Sequence, residues 1–386
     1  MSINTENRLT VAQGEFELNR LPKRPLELLR AWDAADEYLL KILAEDLQPS
    51  TDARILIVND SFGALAVALS TFQPQAVSDS YLSQEATRLN LLANNLSEHS
   101  VKFINSLEPL EGQFDLVLIK VPKTLALLED QLIRLHPHLL PSTQVIVAGM
   151  IKTLPPSVWK LLERLVGPTT TALARKKARL IFATPDPDLV IPVSPYPVCY
   201  QLEESDYLIS NHANVFSRDS LDIGTRFFLQ HLPSRQDSVD SVDIVDLGCG
   251  NGLLGLMAAE LNPAATVHFV DESFMAVASA QENFYRAFGQ KRHATFRVSD
   301  GLKDFKLASA DIILCNPPFH QHNTIGDQLA NSMFNQSKKV LRNGGELWII
   351  GNRHLNYHIN LNRLFGGHSV VAANAKFIIH KATQKY

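Results

Sequence analysis

Asn316-Pro317-Pro318-Phe319 follows an apolar run, Asp311-Ile312-Ile313-Leu314-Cys315, whose pattern predicts a buried parallel strand ending at a breaker. Two consecutive prolines fix φ and remove two backbone N–H groups, so the strand stops and the turn after it is stiff. An amide, a proline carbonyl and an aromatic ring then stand together at a strand's carboxyl end. That set suits a planar heterocycle carrying an exocyclic amine. Phe319 can stack on the ring, while the Asn316 oxygen and the Pro317 carbonyl can accept hydrogen bonds from the amine. The amine of a base is a poor nucleophile because its lone pair is delocalised into the ring. Two acceptors favour a more tetrahedral nitrogen and stabilise the positive charge that develops as it attacks. Stacking of this kind contributes about 1–3 kcal/mol in single-stranded nucleic-acid sites. An Asn-Pro pair alone is a common turn; an aromatic directly after two prolines is much rarer.

Upstream, Asp246-Leu247-Gly248-Cys249-Gly250-Asn251-Gly252 is a glycine-rich turn where a strand enters a helix. Gly248, Gly250 and Gly252 allow dihedrals that other residues resist and let a ligand lie against the main chain. Alone, such a turn reads equally well as tight strand–helix packing. Asp271 ends the next strand, spaced as an acidic residue that accepts both hydroxyls of a ribose. Asp300 follows a short strand, Thr295 to Val298, and is placed to accept from an adenine amine. The group that joins these sites is S-adenosylmethionine (AdoMet), with Asp246 beside its ammonium and Asn316 counted among the cofactor contacts as well as the catalytic residues. Methyl transfer to nitrogen is then an in-line displacement in which positioning does most of the work. A dinucleotide-binding protein is the rival reading, but it has no use for the Asn-Pro-Pro-Phe turn.

Other candidates are secondary. His320 and His322 lack a carboxylate or cysteine at metal spacing, so no metal site is expected; His320 is a candidate substrate contact. Arg218 and Asp219 either close over the cofactor or cap the next helix. Arg353, after the strand Leu347 to Ile350, is a candidate substrate or phosphate contact. Arg175-Lys176-Lys177-Ala178-Arg179 is the most basic run in the chain. Such runs are usually a solvated face, but with Lys120 and Lys123 this one could grip RNA phosphates without reading sequence.

The chain carries more than one domain's worth of residues, 386, and is 45% hydrophobic and 20% charged, as ordinary globular proteins are. No apolar run approaches the roughly 20 residues a membrane helix requires, and the polar N-terminus is unlike a secretory signal. Three cysteines without metal-ligand spacing fit a reduced, cytoplasmic compartment. A net charge of −4 means any RNA contact must come from a local patch.

Residues 1–20 read as a loosely held tail, and Pro25 to Leu47 as one amphipathic helix. Strands at 54–58, 75–78, 115–119 and 144–148 alternate with helices. The pattern then recurs. Asp243 to Asp246 is matched with Leu56 to Asn59, Asp271 with Asp79, and Asn316 to Phe319 with Lys120 to Lys123. The expectation is an α/β protein of two tandem Rossmann-like methyltransferase domains, the N-terminal copy degenerate. It assigns residues 1–183 to RNA recognition, 184–198 to a proline-rich linker and 199–386 to catalysis, with a hairpin and a helix from Leu221 to His231 before the second core.

Phe216-Ser217-Arg218-Asp219, the glycine turn, Asp271-Glu272-Ser273 and Asn316-Pro317-Pro318-Phe319-His320 together resemble the bacterial ribosomal RNA guanine-N2 methyltransferases with a duplicated methyltransferase fold. Val121 to Glu129, Lys176 to Leu180, His212 to Arg218 and Asn352 to Leu355 resemble the large-subunit branch in particular. The resemblance covers nearly the whole chain. It implies AdoMet as methyl donor, the N2 amine of a guanine in 23S rRNA as acceptor, and an N-terminal domain for RNA recognition. Expected with it are free or partly assembled RNA as substrate and a monomeric enzyme. The alternatives are the same reaction on 16S rRNA, methylation of adenine N6 or a glutamine amide, and a non-catalytic RNA-binding assembly factor.

Overall fold

The structure, a computed structural model, describes residues 7–23, 27–235, 241–318 and 324–385. Its contacts divide into two compact units, Met1–Pro195 and Tyr196–Tyr386. The division falls inside the proline-rich stretch.

The first unit opens with a hairpin, β1 (Arg8–Val11) and β2 (Gly14–Glu17), where a loose tail was expected. Leu9 and Leu18 are buried in the core, and the Asn90 and Asn94 side chains bond the backbone of Asn19 and Glu17. Four-residue strands around a tight turn bury too few side chains to show a period in sequence. Helix α1 (Ala34–Ile42) starts later than expected and ends in a π-helical turn, Leu43–Leu47. Asp33 and Asp36 form a reciprocal capping box that fixes the start. Leu29, within the range expected to be helical, is about half exposed ahead of it.

The core follows as β3 (Ile55–Val58), α2 (Ala64–Ala68), β4 (Gln75–Ser78), α3 (Tyr81–Ala93) and β5 (Lys102–Asn105). It continues with β6 (Phe114–Lys120), α4 (Leu125–Leu135), β7 (Leu139–Met150), α5 (Pro156–Leu165), β8 (Thr169–Thr171) and β9 (Ala178–Ala183). The sheet order is β5-β4-β3-β6-β7-β9-β8, parallel except where β9 meets β7 and β8. Alternate side chains of the strands face α1 and α2 on one side and α4 and α5 on the other.

The second unit begins with hairpin β10 (Val198–Gln201) and β11 (Leu208–Asn211), then α6 (Ile223–Leu229), shorter than expected at both ends. Its core runs β12 (Asp243–Leu247), α7 (Leu253–Leu261), β13 (Thr266–Asp271), α8 (Phe274–Phe288) and β14 (Ala294–Val298). It closes with β15 (Ala310–Cys315), α9 (Thr324–Val340), β16 (Leu341–Asn352), α10 (Tyr357–Phe365), β17 (Ser369–Ala373) and β18 (Phe377–Thr383). The order β14-β13-β12-β15-β16-β18-β17 repeats that of the first sheet. The duplication is real at the level of topology. Even the register shift at the start of the fourth strand, Phe114/Leu116 and Ala310/Ile312, occurs twice.

The ladders correct the sequence matching of the two copies. The backbone N–H groups of Arg54 and Asp243 bond the carboxylates of Asp115 and Asp311. Those of Asn59 and Gly248 bond the carbonyls of Val77 and Val270, and Gly63 and Gly252 both precede a helix at φ 83° and 77°. Asp246 is therefore equivalent to Ile57, not Asn59. Ser80 and Ser273 cap equivalent helices, so Asp271 is equivalent to Ser78, not Asp79. Lys120 does fall on Asn316.

Candidate active site

β12 is paired with β13 on one side and β15 on the other, both parallel, and their connections leave in opposite directions. A crevice forms at the carboxyl ends of strands where a parallel sheet switches this way. Asp246, Gly248, Gly250, Gly252, Asp271 and Asn316 all belong to that edge.

The glycines differ in what they do. At Gly252 (φ 77°) a Cβ would lie 2.6 Å from the Ala280 Cβ, so close packing of α8 requires glycine there. At Gly250 (φ 53°) a Cβ would meet nothing within 4 Å, and at Gly248 only the end of Met333. Their open side is a backbone cradle for a ligand. Asp271 shapes this turn: its carboxylate accepts the Gly250 N–H and the Ser273 N–H, each at 3.0 Å.

Asp246 is buried. One oxygen accepts the Gly255 N–H at 2.8 Å, and Oδ1 has no partner among the described residues. Burial pushes its carboxyl up to about 8, opposed by the Gly255 bond and reinforced by the neighbouring Asp271 charge. A cationic group at Oδ1 would restore the ionised form. An orphaned acid oxygen beside an open glycine cradle fits the amino-acid end of AdoMet. Asp300 lies in the turn after β14, next to the end of β13, and its half-buried carboxyl is raised by desolvation with Asp304 adding to the effect. It is placed at the cofactor edge and makes no side-chain hydrogen bond among the described residues.

Asn316 has a partner that sequence reasoning missed. Its Nδ2 donates to Thr225 Oγ1 at 3.0 Å, and that hydroxyl donates to Asp222 Oδ2 at 3.2 Å. Asp222 is also the N-cap of α6, accepting the Thr225 N–H at 2.8 Å. With its proton directed to Asp222, the Thr225 oxygen is left to accept, so the amide NH2 turns toward it. Asn316 Oδ1 is thereby left facing away, buried and unpartnered among the described residues. An acceptor held ready in this way is what an attacking amine requires. The sequence signal was present, an Asp-x-x-Thr helix start, but nothing local links it to a residue about 90 positions away. Thr225→Val should lower kcat about tenfold by letting the amide rotate, with AdoMet affinity unchanged and Thr225→Ser restoring the rate. Steady-state kinetics beside calorimetric cofactor binding would check it. Phe319 and His320 lie outside the described residues, as does His322.

The first unit uses the same framework differently. Lys120, at the Asn316 position, bonds Asp33 at 2.9 Å and Asp36 at 2.6 Å, the N-cap and third residues of α1, just as Asp222 and Thr225 serve α6. Lys120 is mostly buried, which corrects the expectation that it reaches RNA. Burial pushes the Asp36 carboxyl up to about 6 against the pull of Lys120. Asp60 fills the helix N-terminus where the second unit has its open turn, accepting four N–H groups from Gly63 to Ala66. A built-in carboxylate stands at an anion site. Ile57 and Ser78 replace the two aspartates. This copy is a degenerate one.

The other basic candidates are more accessible. Lys123 is exposed. Arg175 and Ala178 close a two-residue hairpin whose central residues, Lys176 (φ 47°) and Lys177 (φ 64°), both take left-handed dihedrals. Such a turn favours Asn-Gly, so two lysines there carry backbone strain. Lys176 pairs with Glu37 at 2.7 Å, yet its side chain stays largely exposed. Arg175 lies over the Tyr38 ring, and Arg179 is half-buried. Arg353 donates to the Asn374 carbonyl at 3.0 Å from an exposed position beyond β16. Arg218 bonds the Ala213 carbonyl and Asp219 and lies over Tyr196; the cap of α6 is Asp222 rather than Asp219. Among the described residues, no group of three His, Cys, Asp or Glu side chains is placed to hold a metal, and no helix is long and apolar enough to cross a membrane.

Residues 6–187 match the model of the RLMG N-terminal domain, and residues 206–381 match the methyltransferase small domain. A ribosomal RNA large subunit methyltransferase G from Streptomyces griseus is 47% identical over 98% of this chain and 100% of its own. One of the same name from Pseudomonas aeruginosa is 52% identical over 96% of this chain and 97% of its own. Among solved structures, a T. thermophilus 16S rRNA N2 G1207 methyltransferase in complex with AdoMet and guanosine superposes with a TM-score of 0.75, covering 98% of this chain and 97% of that one at 21% identity. The last likeness supports the two-domain fold. With identity near one half along essentially full length, the chain belongs to the ribosomal RNA large subunit methyltransferase G family.

Proposed function

We propose that this protein transfers a methyl group from AdoMet to the exocyclic N2 amine of a guanine in 23S rRNA. The observation that carries the reading is the pair of buried oxygens without partners among the described residues, Asp246 Oδ1 and Asn316 Oδ1, flanking an open glycine turn in a chain of this family. When bound, AdoMet supplies a methyl group on a positively charged sulfur. Asp246 would hold the ammonium, Asp271 the ribose hydroxyls and Asp300 the adenine amine. Asn316 Oδ1 and the Pro317 carbonyl would hold the guanine amine and stabilise its developing charge, with Phe319 stacking on the base. His320 and Arg353 would contact the surrounding RNA.

The first domain would grip RNA phosphates through the strained hairpin of Lys176 and Lys177, with Arg175, Arg179 and Lys123. Lys120 has no part in this. Lys176→Ala and Lys177→Ala should each weaken RNA binding irrespective of sequence and reduce the salt slope of log affinity by about 1, read by filter binding across a salt series. Stacking requires a base splayed from its helix, so free or partly assembled RNA is the natural substrate. An enzyme that carries both domains in one chain would work as a monomer, and an rRNA substrate would place it in the cytoplasm.

Tritiated methyl transfer to 23S and 16S rRNA, each free and within its subunit, followed by digestion to nucleosides, tests the whole assignment. N2-methylguanosine from 23S rRNA alone is the expected result. Label in 16S rRNA would reassign the target, and no label in any RNA would remove the RNA methylation reading.

A further inference from the structure

Asn352 ends β16, one strand beyond Asn316, and no role in the chemistry above has been given to it. It is 8% exposed, and its Oδ1 has no hydrogen-bond partner among the described residues. Buried amide oxygens are nearly always satisfied, so one left open at a site's edge points to a ligand.

Its direction follows from side-chain alternation. Ile244, Ile312, Leu314, Trp348 and Ile350 share one core with Phe228 of α6, while Val245, Leu247, Ile313, Cys315, Leu347 and Ile349 share the other. Asp246, Asn316 and Asn352 continue the first set, so all three stand on the face that α6 and α7 cover. Asp246 pairs with Leu314, and Cys315 pairs with Ile349. Asn316 is thus one strand across and two residues farther along than Asp246, and Asn352 repeats that step from Asn316. Each step spans about 8 Å between Cα atoms. The three unpartnered oxygens form a diagonal row with the amine acceptor in the middle and the cofactor acid at one end. The third oxygen lies at the substrate end.

We infer that Asn352 Oδ1 accepts the ring N1–H of the target guanine and selects guanine among the bases; the inference rests on the guanine-N2 reading above. Guanine alone among the four bases carries a ring N–H directly beside an exocyclic amine. Adenine and cytosine present a lone pair there, which would face the Asn352 oxygen and leave both acceptors unpaired. Uracil has the ring N–H but no amine. Two acceptors side by side, Asn316 for the amine and Asn352 for the ring N–H, read that combination and no other.

The test uses a synthetic oligoribonucleotide spanning the methylated position, located by mapping the label to nuclease fragments of the rRNA, with guanosine or 2-aminopurine riboside at that one nucleotide. 2-Aminopurine keeps the N2 amine and lacks the N1–H. Wild-type protein should prefer guanosine by about 100-fold or more in kcat/KM. Asn352→Leu should bring guanosine to within about fivefold of 2-aminopurine, while Asn352→Asp, which keeps an acceptor, should retain the preference. Thermal melting of Asn352→Leu should not fall below wild type, since the free protein loses no hydrogen bond from Oδ1. An Asn352→Leu protein that still prefers guanosine about 100-fold would overturn the inference, as would a wild type that methylates both RNAs equally well. Absence of N2-methylguanosine from 23S rRNA in the methyl-transfer experiment would defeat the guanine-N2 reading itself, which separates the two failures.

Discussion

Asn316→Ala should lower kcat for methyl transfer by about 10²–10³-fold while leaving AdoMet affinity within a few-fold of wild type. The asymmetry follows from where the two oxygen acceptors point. Asn316 Oδ1 is left open by the bonds through Thr225 of α6 to its N-cap Asp222, and in the proposed reaction its interaction with the amine would strengthen as positive charge builds on that nitrogen. The glycine cradle and Asp271, to which the proposal assigns the cofactor, are on neighbouring strands and stay intact. Single-turnover methylation beside calorimetric AdoMet binding would separate the effects. A variant that methylates at near wild-type rate would remove Asn316 from the chemistry.

Asp246→Asn should act in opposite directions on stability and on binding. The folded protein holds this carboxyl at about 8, well above its ordinary value of 3.8, because the charged form is buried with one oxygen unpartnered. The unfolded chain ionises it freely above about pH 4, so the folded state loses stability as pH rises from about 4 to 8. Asparagine keeps the bond from Gly255 and removes that penalty. The AdoMet-free variant should be more stable by up to about 4 kcal/mol at pH 7, with the advantage vanishing near pH 4. AdoMet affinity should fall at least about tenfold, because the ammonium loses its carboxylate. Linkage gives a second sign. Cation binding favours the ionised acid and releases a proton, so wild-type affinity should rise from pH 6 to pH 8 and the variant's should lack that rise. Melting curves and AdoMet titrations across pH would read both. A destabilised variant with unchanged affinity would contradict the assignment of Asp246 to the cofactor.

Much of this protein is legible in its sequence because the informative features are local. A strand of four consecutive apolar residues, a turn fixed by two prolines and glycines with positive φ depend on neighbours within a few positions. They locate Asp246, Asp271 and Asn316 at strand ends and disclose two copies of one topology. The register between the copies was misplaced by two residues at β3 and by one at β4. An apolar strand such as Ile55–Val58 carries no internal mark of its alignment, whereas hydrogen bonds from Arg54 and Asp243 to the next strand do.

What sequence alone determined is the class of chemistry, through a candidate amine-holding turn, a candidate cofactor turn and an acidic residue between them, with family membership borne out by near-full-length relatives. Only the tertiary structure decided which of these groups are free to act. Lys120 and Asn316 occupy equivalent strand ends, yet one is tied to two aspartates and the other, its NH2 held by Thr225, keeps an oxygen that has no partner among the described residues. Asn352 is one more polar residue in the chain until three adjacent strands align its open oxygen with two others. Residue type and short spacing specify what a side chain can do. Whether its hydrogen bonds are already satisfied depends on partners brought from distant parts of the chain, and that is settled when the sheet and its helices pack.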